Sequence, residues 1–419
     1  MEIILEQAKV IFPGDPLDQK RVNIGIKNGI IEKISSKKIS GTKIISSNDL
    51  HISPGWIDIG TQCSEPGFEH RDTLISLSSA ASAGGYTTLA VFPNTNPVIH
   101  SKSEVEFIKQ KSKSLITTIF PIGAISKECS GKELAEMIDM QHHGAIAFSD
   151  GRKSVQDTGV MLRALMYVKH FNGLLINQPQ DESISNLGQM HEGQVSQRLG
   201  LKGIPEIAET IMLNRDLELL HYTDGKLVSH LISTEAGTNL IRQAKKSTAN
   251  LWASVGYLNL VLNDATLQEF DSMYKQSPPL RSDRHVKALI KSIKDNTLDC
   301  ICTNHRPLEI EKKDLEFAYA TPGSIGLQTS YAAVNTKEIL DQDAWVKAVS
   351  INPARILNLS LNGLKEGNKA NITLFDPTIR WVFDENANKS LSKNSPFLNS
   401  TFTGKVLGVI NNSELVLIV

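Results

Sequence analysis

The chain has 419 residues, 40% hydrophobic and 21% charged, with 44 basic against 45 acidic side chains and a net charge of −1. This is the composition of a folded globular chain, and its charge balance, without a basic run, excludes nucleic acid or an anionic membrane surface as the main partner. No apolar stretch approaches the ~18 residues of a membrane span, and at ~150 residues per domain the length allows two or three domains, or two if an α/β barrel takes most of it.

The start, Met1-Glu-Ile-Ile-Leu-Glu, has no basic region and no long apolar core, so a signal peptide is not expected. Four cysteines (Cys63, Cys129, Cys300, Cys302) without a C-x-x-C pair suit packed thiols in a reducing cytoplasm. The N-terminal part reads as short strands, and Asn28-Gly29 between two alternating runs predicts a type I′ hairpin from Val22 to Ile34. Brief β-rich runs then follow at 56–59, 87–92, 115–120, 145–148, 174–176, 227–231, 251–255 and 300–303. Most are separated by helical spacing. Asp157, for example, can cap a helix carrying Val160, Leu162, Leu165, Met166 and Phe171 and ended by Gly173. Runs and helices in alternation predict an α/β fold, a (β/α)8 TIM barrel; a doubly wound sheet is the alternative, but the chain has no Gly-rich phosphate loop. Segment 386–400, rich in Ser and Asn, reads as a loose surface loop. The C-terminal part returns to strands, one at 371–376 and a hairpin of 406–410 and 415–419 around Asn411-Asn412-Ser413.

A barrel of this kind carries its site at the C-terminal ends of the strands. Read in turn, these ends hold Gly60-Thr-Gln62-Cys-Ser64, Pro93-Asn-Thr-Asn96, Ser149-Asp-Gly151, Asn177-Gln178, His230, Gly256-Tyr-Leu-Asn259 and Asn304-His305. Amides, hydroxyls and glycines dominate. Asp150 is the nearest carboxylate, and His230 and His305 are the histidines.

Several blocks resemble, in order, those of the dihydroorotases. They are Pro54-Gly-Trp-Ile-Asp58, Glu65-Pro-Gly-Phe-Glu-His70, Ala81-Ser-Ala-Gly-Gly-Tyr-Thr-Thr88, Pro93-Asn-Thr-Asn-Pro97 and Ala147-Phe-Ser-Asp150. Glu192-Gly-Gln-Val-Ser196, Ser277-Pro-Pro-Leu-Arg281, Asn352-Pro-Ala-Arg-Ile-Leu357 and 370–377 continue the series along almost the whole chain. The resemblance is to the long branch of this amidohydrolase family found in bacterial multifunctional complexes. It implies a barrel over 54–364 and a small β-sandwich domain from 1–53 plus 365–419. It also implies zinc-dependent, reversible closure of carbamoyl aspartate to dihydroorotate in pyrimidine biosynthesis.

The family's first strand ends in His-x-His-x-Arg, two zinc ligands and an arginine for the substrate carboxylate; here those places are Gly60, Gln62 and Ser64. The aspartate ligand of the family's Phe-Ser-Asp-Asp-Gly block falls on Gly151, the strand-5 histidine on Gln178, and the strand-6 histidine is kept as His230. The strand-8 aspartate, ligand and general acid/base in the family, is Asn304. Of the substrate contacts, Asn94 is kept, an asparagine has become Ser277, and a histidine has become Leu308. A catalytic zinc takes about three His or carboxylate ligands plus a water. Neutral amides are poor substitutes, and an amide at 304 cannot take a proton near neutral pH. The expectation is therefore a disabled site with no catalytic residue and no cofactor, although the active family uses zinc.

Other candidates read more plainly. His230 alone reads as a structural histidine, His142-His143 as a surface pair at the opposite end of the barrel, and Cys300 and Cys302 as core on one strand face. Lys153 lacks the partner histidines of the carboxylated lysine in the related hydantoinases, and Cys63 lacks a base. The resemblance implies aspartate carbamoyltransferase as a partner and a homo-oligomer as an assembly. A working cyclic-amide hydrolase with an altered, metal-poor site is the alternative.

Overall fold

The two chain ends build one sheet, and period-two patterning explains how. In the computed structural model, which describes residues 2–418, the first strands are β1 (Glu2–Val10), β2 (Arg21–Lys27), β3 (Ile30–Ser35), β4 (Lys43–Ile45) and β5 (His51–Pro54). Asn28 and Gly29 join β2 to β3 at φ 50° and 76°. Both are left-handed, as a type I′ turn requires and as Asn-Gly supplies at little steric cost.

The middle of the chain supplies β6 (Trp56–Gln62), β7 (Tyr86–Phe92), β8 (Thr118–Gly123), β9 (Ala147–Phe148) and β10 (Leu175–Asn177). Two short strands, β11 (Met190–His191) and β12 (Gly203–Ile204), pair with each other outside the main sheet. Then come β13 (Leu227–Ser229), β14 (Leu251–Gly256) and β15 (Cys300–Cys302). The order β15-β14-β13-β10-β9-β8-β7-β6 is parallel throughout, and helices intervene in sequence. The sheet closes on itself through side chain and backbone. Asp58 in β6 accepts from Thr303 N and Thr303 Oγ1, each at 2.7 Å, and Gln62 N donates to His305 O at 3.0 Å. This is the expected (β/α)8 barrel. Its interior is packed by alternate residues such as Ile57, Ile59, Phe92, Ile122, Cys300 and Cys302, so the cysteine pair is core.

The C-terminal strands β16 (Ile372–Phe383), β17 (Ser400–Asn411) and β18 (Glu414–Leu417) complete the terminal sheet in the order β18-β17-β16-β5-β1-β2-β3, with β4 beside β1. It encloses its own core of Leu5, Ile24, Ile52 and Leu374 and forms the small β-sandwich. Trp56, at the start of the barrel, packs against Phe375 of β16 at 5.6 Å and Trp345 at 5.4 Å between ring centroids, so the terminal sheet contributes a side chain to the barrel's outer core.

Some sequence boundaries shift. The run at 115–120 is a strand only from Thr118, because Leu115 and Ile116 lie under the C-terminal hairpin, whose Asn411 Nδ2 donates to Ile116 O at 2.7 Å. Asp157 does cap its helix, accepting from Val160 N at 2.7 Å, but the helix stops at Lys169 and leaves Met166 50% exposed. Its buried stripe is Val160, Met161, Ala164, Leu165 and Val168.

Segment 386–400 is not a loose loop. Its Ser390 Oγ donates to Asp72 at 2.8 Å, its Ser392 Oγ to Arg71 O at 2.8 Å, and Asn394 Oδ1 accepts from Leu308 N at 3.1 Å. The small polar side chains that suggested looseness are the groups that strap it across the loops after β6 and β15.

Candidate functional site

Gly60 lies where the register of β6 against β7 shifts, between Ile59 and Thr61. Its φ of +87° is the left-handed conformation that a β-bulge asks of glycine. A Cβ here would stand 2.7 Å from His230 Nε2 and 2.7 Å from Phe92 Cζ. The His230 ring meets Phe92 edge-on, 5.3 Å between centroids, and its Nδ1 is 2.9 Å from Ser254 Oγ. Ser254 Oγ also accepts from Leu231 N at 2.9 Å. His230 Nε2 is buried without a hydrogen-bond partner. The imidazole thus fills the space in front of Gly60, and no second histidine fits there.

The turn after β9 is equally tight. Gly151 has φ +63°, and a Cβ on it would lie 2.0 Å from Asn94 Oδ1. Asn94 clamps this turn by accepting from Arg152 N at 2.9 Å and donating to Asp150 O at 3.1 Å. Its amide is therefore spent on the protein itself. Asp150 accepts from Ser126 N at 2.9 Å and Ser126 Oγ at 2.5 Å, and burial pushes its carboxyl up from the ordinary range while these bonds oppose the shift.

Arg152 joins the candidate site although the sequence reading did not name it. Its Nη1 donates to Asn304 Oδ1 at 2.6 Å, and its Nη2 to His305 O at 3.3 Å and Asn304 O at 3.5 Å. Asn304 Nδ2 in turn donates to Ser277 O at 3.0 Å. So Gly151, Asn94, Asn304 and Ser277 are brought together, with a guanidinium as the centre of the group. Arg152 stands at the glycine of the family's Phe-Ser-Asp-Asp-Gly block, and an arginine at that one place was the available signal. Burial and the neighbouring Arg306 lower its proton affinity, but a guanidinium stays charged.

The remaining positions surround this group. Gln62 and Ser64 are buried at the end of β6, with Gln62 Oε1 and Ser64 Oγ unpartnered. Gln178 is buried after β10, and Leu308 is buried after β15. His305 Nδ1 accepts from Gly326 N at 3.0 Å, which leaves Nε2 to carry the proton 3.7 Å from Asp72. Burial lowers the pKa of His305 against the pull of Asp72. Below them Asp58 is satisfied by Thr61 and Thr303, and burial raises its pKa to about 7.

Three other candidates resolve simply. Cys63 Sγ donates to Glu65 O, and burial pushes the thiol up to about 12, far from a thiolate nucleophile. Lys153 is exposed beside the turn. His142 and His143 end the helix Met137–His143, with His143 3.7 Å from Glu106.

Zinc does not fit these residues. His230 offers one nitrogen, Gly60 and Gly151 offer nothing, Gln62, Gln178 and Asn304 are amides, and a cation already bonds Asn304. Among the described residues, no group of three or more His, Cys, Asp or Glu is placed to hold a metal ion. Among the described residues, no helix is long and apolar enough to cross a membrane.

The chain is similar to known proteins over nearly its full length. Residues 50–236 match the family model described as Dihydro-orotase-like. A dihydroorotase of Syntrophus aciditrophicus (strain SB) is 36% identical over 423 residues, covering 99% of each chain. That of Caldanaerobacter subterraneus subsp. tengcongensis is 35% identical over 413 residues, covering 97% of this chain and 95% of its own. Among solved structures, L-hydantoinase (dihydropyrimidinase) from Arthrobacter aurescens superposes with a TM-score of 0.86 at 19% identity, covering 99% of this chain and 96% of that one. A D-hydantoinase gives 0.82 at 19% identity, covering 100% and 95%. At that identity the hydantoinases speak for the fold. The barrel with its terminal β-domain, joined to end-to-end identity with the curated relatives, places this chain in the dihydroorotase family of amidohydrolases.

Proposed function

We propose that this protein is a non-catalytic member of the dihydroorotase family, acting in pyrimidine biosynthesis as a binding or architectural partner of aspartate carbamoyltransferase in the cytoplasm. The observation that carries the reading is the turn at 150–152. A side chain at 151 is excluded by Asn94, and Arg152 holds Asn304 where the family keeps its acid/base. Interconverting carbamoyl aspartate and dihydroorotate needs a proton carrier at the reacting centre and, in this family, a Lewis acid that in the ring-opening direction acidifies the attacking water from 15.7 toward about 7. Asn304 has no titrating group near neutrality, and the donors around it do not suit zinc. The partner is inferred from the resemblance, and a second, active dihydroorotase is expected in the same cell.

The test is turnover of dihydroorotate by the purified protein with zinc supplied and bound metal counted in the same sample. No turnover and no stoichiometric zinc are expected. Turnover that tracks zinc occupancy overturns the reading in favour of an altered hydrolase. Co-elution with aspartate carbamoyltransferase from the same organism tests the partner, and separate elution at micromolar concentrations rejects it.

A further inference from the structure

Among the described residues, Arg152 at the barrel mouth bonds no carboxylate, and the acid whose charge reaches its neighbour Arg306, Glu309, is already paired with Arg71. Arg152 gives its hydrogen bonds to neutral oxygens, Asn304 Oδ1 and the carbonyls of Asn304 and His305. Arg306 gives its own to Pro322 O at 2.6 Å. Both Nε protons are buried without an acceptor. Each feels the charge of another arginine, Arg152 that of Arg306 and Arg306 that of Arg71. Arg71 is different, because it is paired with Glu309. The acid whose charge reaches Arg152, Asp58, has its oxygens engaged by Thr61 and Thr303. At the ends of other barrel strands, Ser64 Oγ, 2% exposed as a residue, and His230 Nε2, 1% exposed, also lack partners among the described residues.

A half-buried cation without a bonded counter-ion is costly, and the ordinary remedy is an anion that takes its free N–H group. Guanidinium is suited to oxygen anions, and on Arg152 the donor without an acceptor is Nε, since Nη1 and Nη2 already donate to the protein. The family's position for a substrate-carboxylate arginine is Ser64, and Asn94 is consumed by the 150–152 turn, so any such anion is held differently from a family substrate. We propose that the barrel mouth, in place of a metal site, is an anion site built on Arg152, which takes a small oxyanion such as a carboxylate or a phosphate group. This rests on the non-catalytic reading above, since a zinc ion and the guanidinium compete for Asn304.

The experiment is calorimetric titration of the full-length protein with acetate and, separately, inorganic phosphate, at ionic strength held constant with chloride. Saturable one-to-one binding of either is expected, and which of the two binds identifies the source of the oxyanion. Arg152→Gln should weaken that binding about tenfold or more, with Lys153→Gln, an exposed neighbour, as the unaffected control. Absence of saturable binding to the unaltered protein overturns the proposal, as does equal binding by Arg152→Gln. If that variant does not fold, Arg152→Lys, which keeps the charge without the fork, must still weaken binding. Zinc-dependent turnover would instead overturn the non-catalytic reading, so the two failures are told apart.

Discussion

Replacing Gly60 with alanine tests whether the mouth has closed around His230. The substitution forces a side chain into φ +87° and puts its Cβ 2.7 Å from both His230 Nε2 and Phe92 Cζ. Left-handed backbone costs an ordinary residue ~1–2 kcal/mol, and an extra methyl in a filled interior costs ~1–3 kcal/mol. Together they predict a loss of about 2–5 kcal/mol. Equilibrium urea denaturation followed by circular dichroism measures it. The double variant Gly60→Ala/His230→Ala separates the two causes. Removing the imidazole relieves one clash but not the φ strain, so the pair should be non-additive by ~1–2 kcal/mol. A Gly60→Ala cost below ~0.5 kcal/mol, the range of a neutral surface change, or strict additivity with His230→Ala, would refute the packing argument. The same contact predicts that Gly60→His alone restores no zinc binding, because the existing histidine already occupies the space.

Burial holds Lys313, whose Nζ donates to Thr321 O and Gly323 O, at a pKa of about 7 against the ordinary 10.5. The unfolded chain binds the extra proton between those values, so this group's stability is present above 10.5 and lost as pH falls through about 7. Lys313→Met should flatten the pH dependence of the unfolding free energy by ~1.4 kcal/mol per pH unit in that window; an unchanged slope rejects the assignment. Asp58→Ala leaves Thr303 N without its acceptor at the seam between β6 and β15. A loss of ~1–3 kcal/mol is expected from the denaturation midpoint, and a neutral result would show that the seam closes without it. Asn394→Ala removes one acceptor and two donor bonds, to Leu308 N, Arg306 O and Gly323 O. Limited proteolysis should then cut within 386–400 before anywhere else, and an unchanged cleavage pattern would count against the strap.

Barrel and terminal domain were legible because their signals are local. Apolar runs mark the strands, Asn28-Gly29 marks a turn, and Asp157 marks a helix start. Leu115 and Ile116 misled because hydrophobicity records burial under the C-terminal hairpin as readily as it records a strand. Segment 386–400 misled because serine and asparagine signal loops, and only the placement of Asp72 and Leu308 reveals that they are bonded. At the mouth, the residues Gly60, Gln62, Gly151, Gln178 and Asn304 could be read one by one, and the family resemblance set the expectation of a site without its ligands. The contacts made there could not be read. Arg152 reaches Asn304 across 152 positions of sequence, and no local pattern encodes such a contact.

The strand order of the terminal domain bears on how the chain is made. β5 sits between β1 and β16, with Ile52 opposite Leu374. At ~5–20 residues per second on the ribosome, tens of seconds separate synthesis of the two partners. Throughout that interval β5 offers a bare strand edge to anything nearby, a known route to aggregation. A nascent chain of this topology depends on chaperone cover, or on a fast-folding barrel that buries Trp56 and shields the edge, until its last strands emerge.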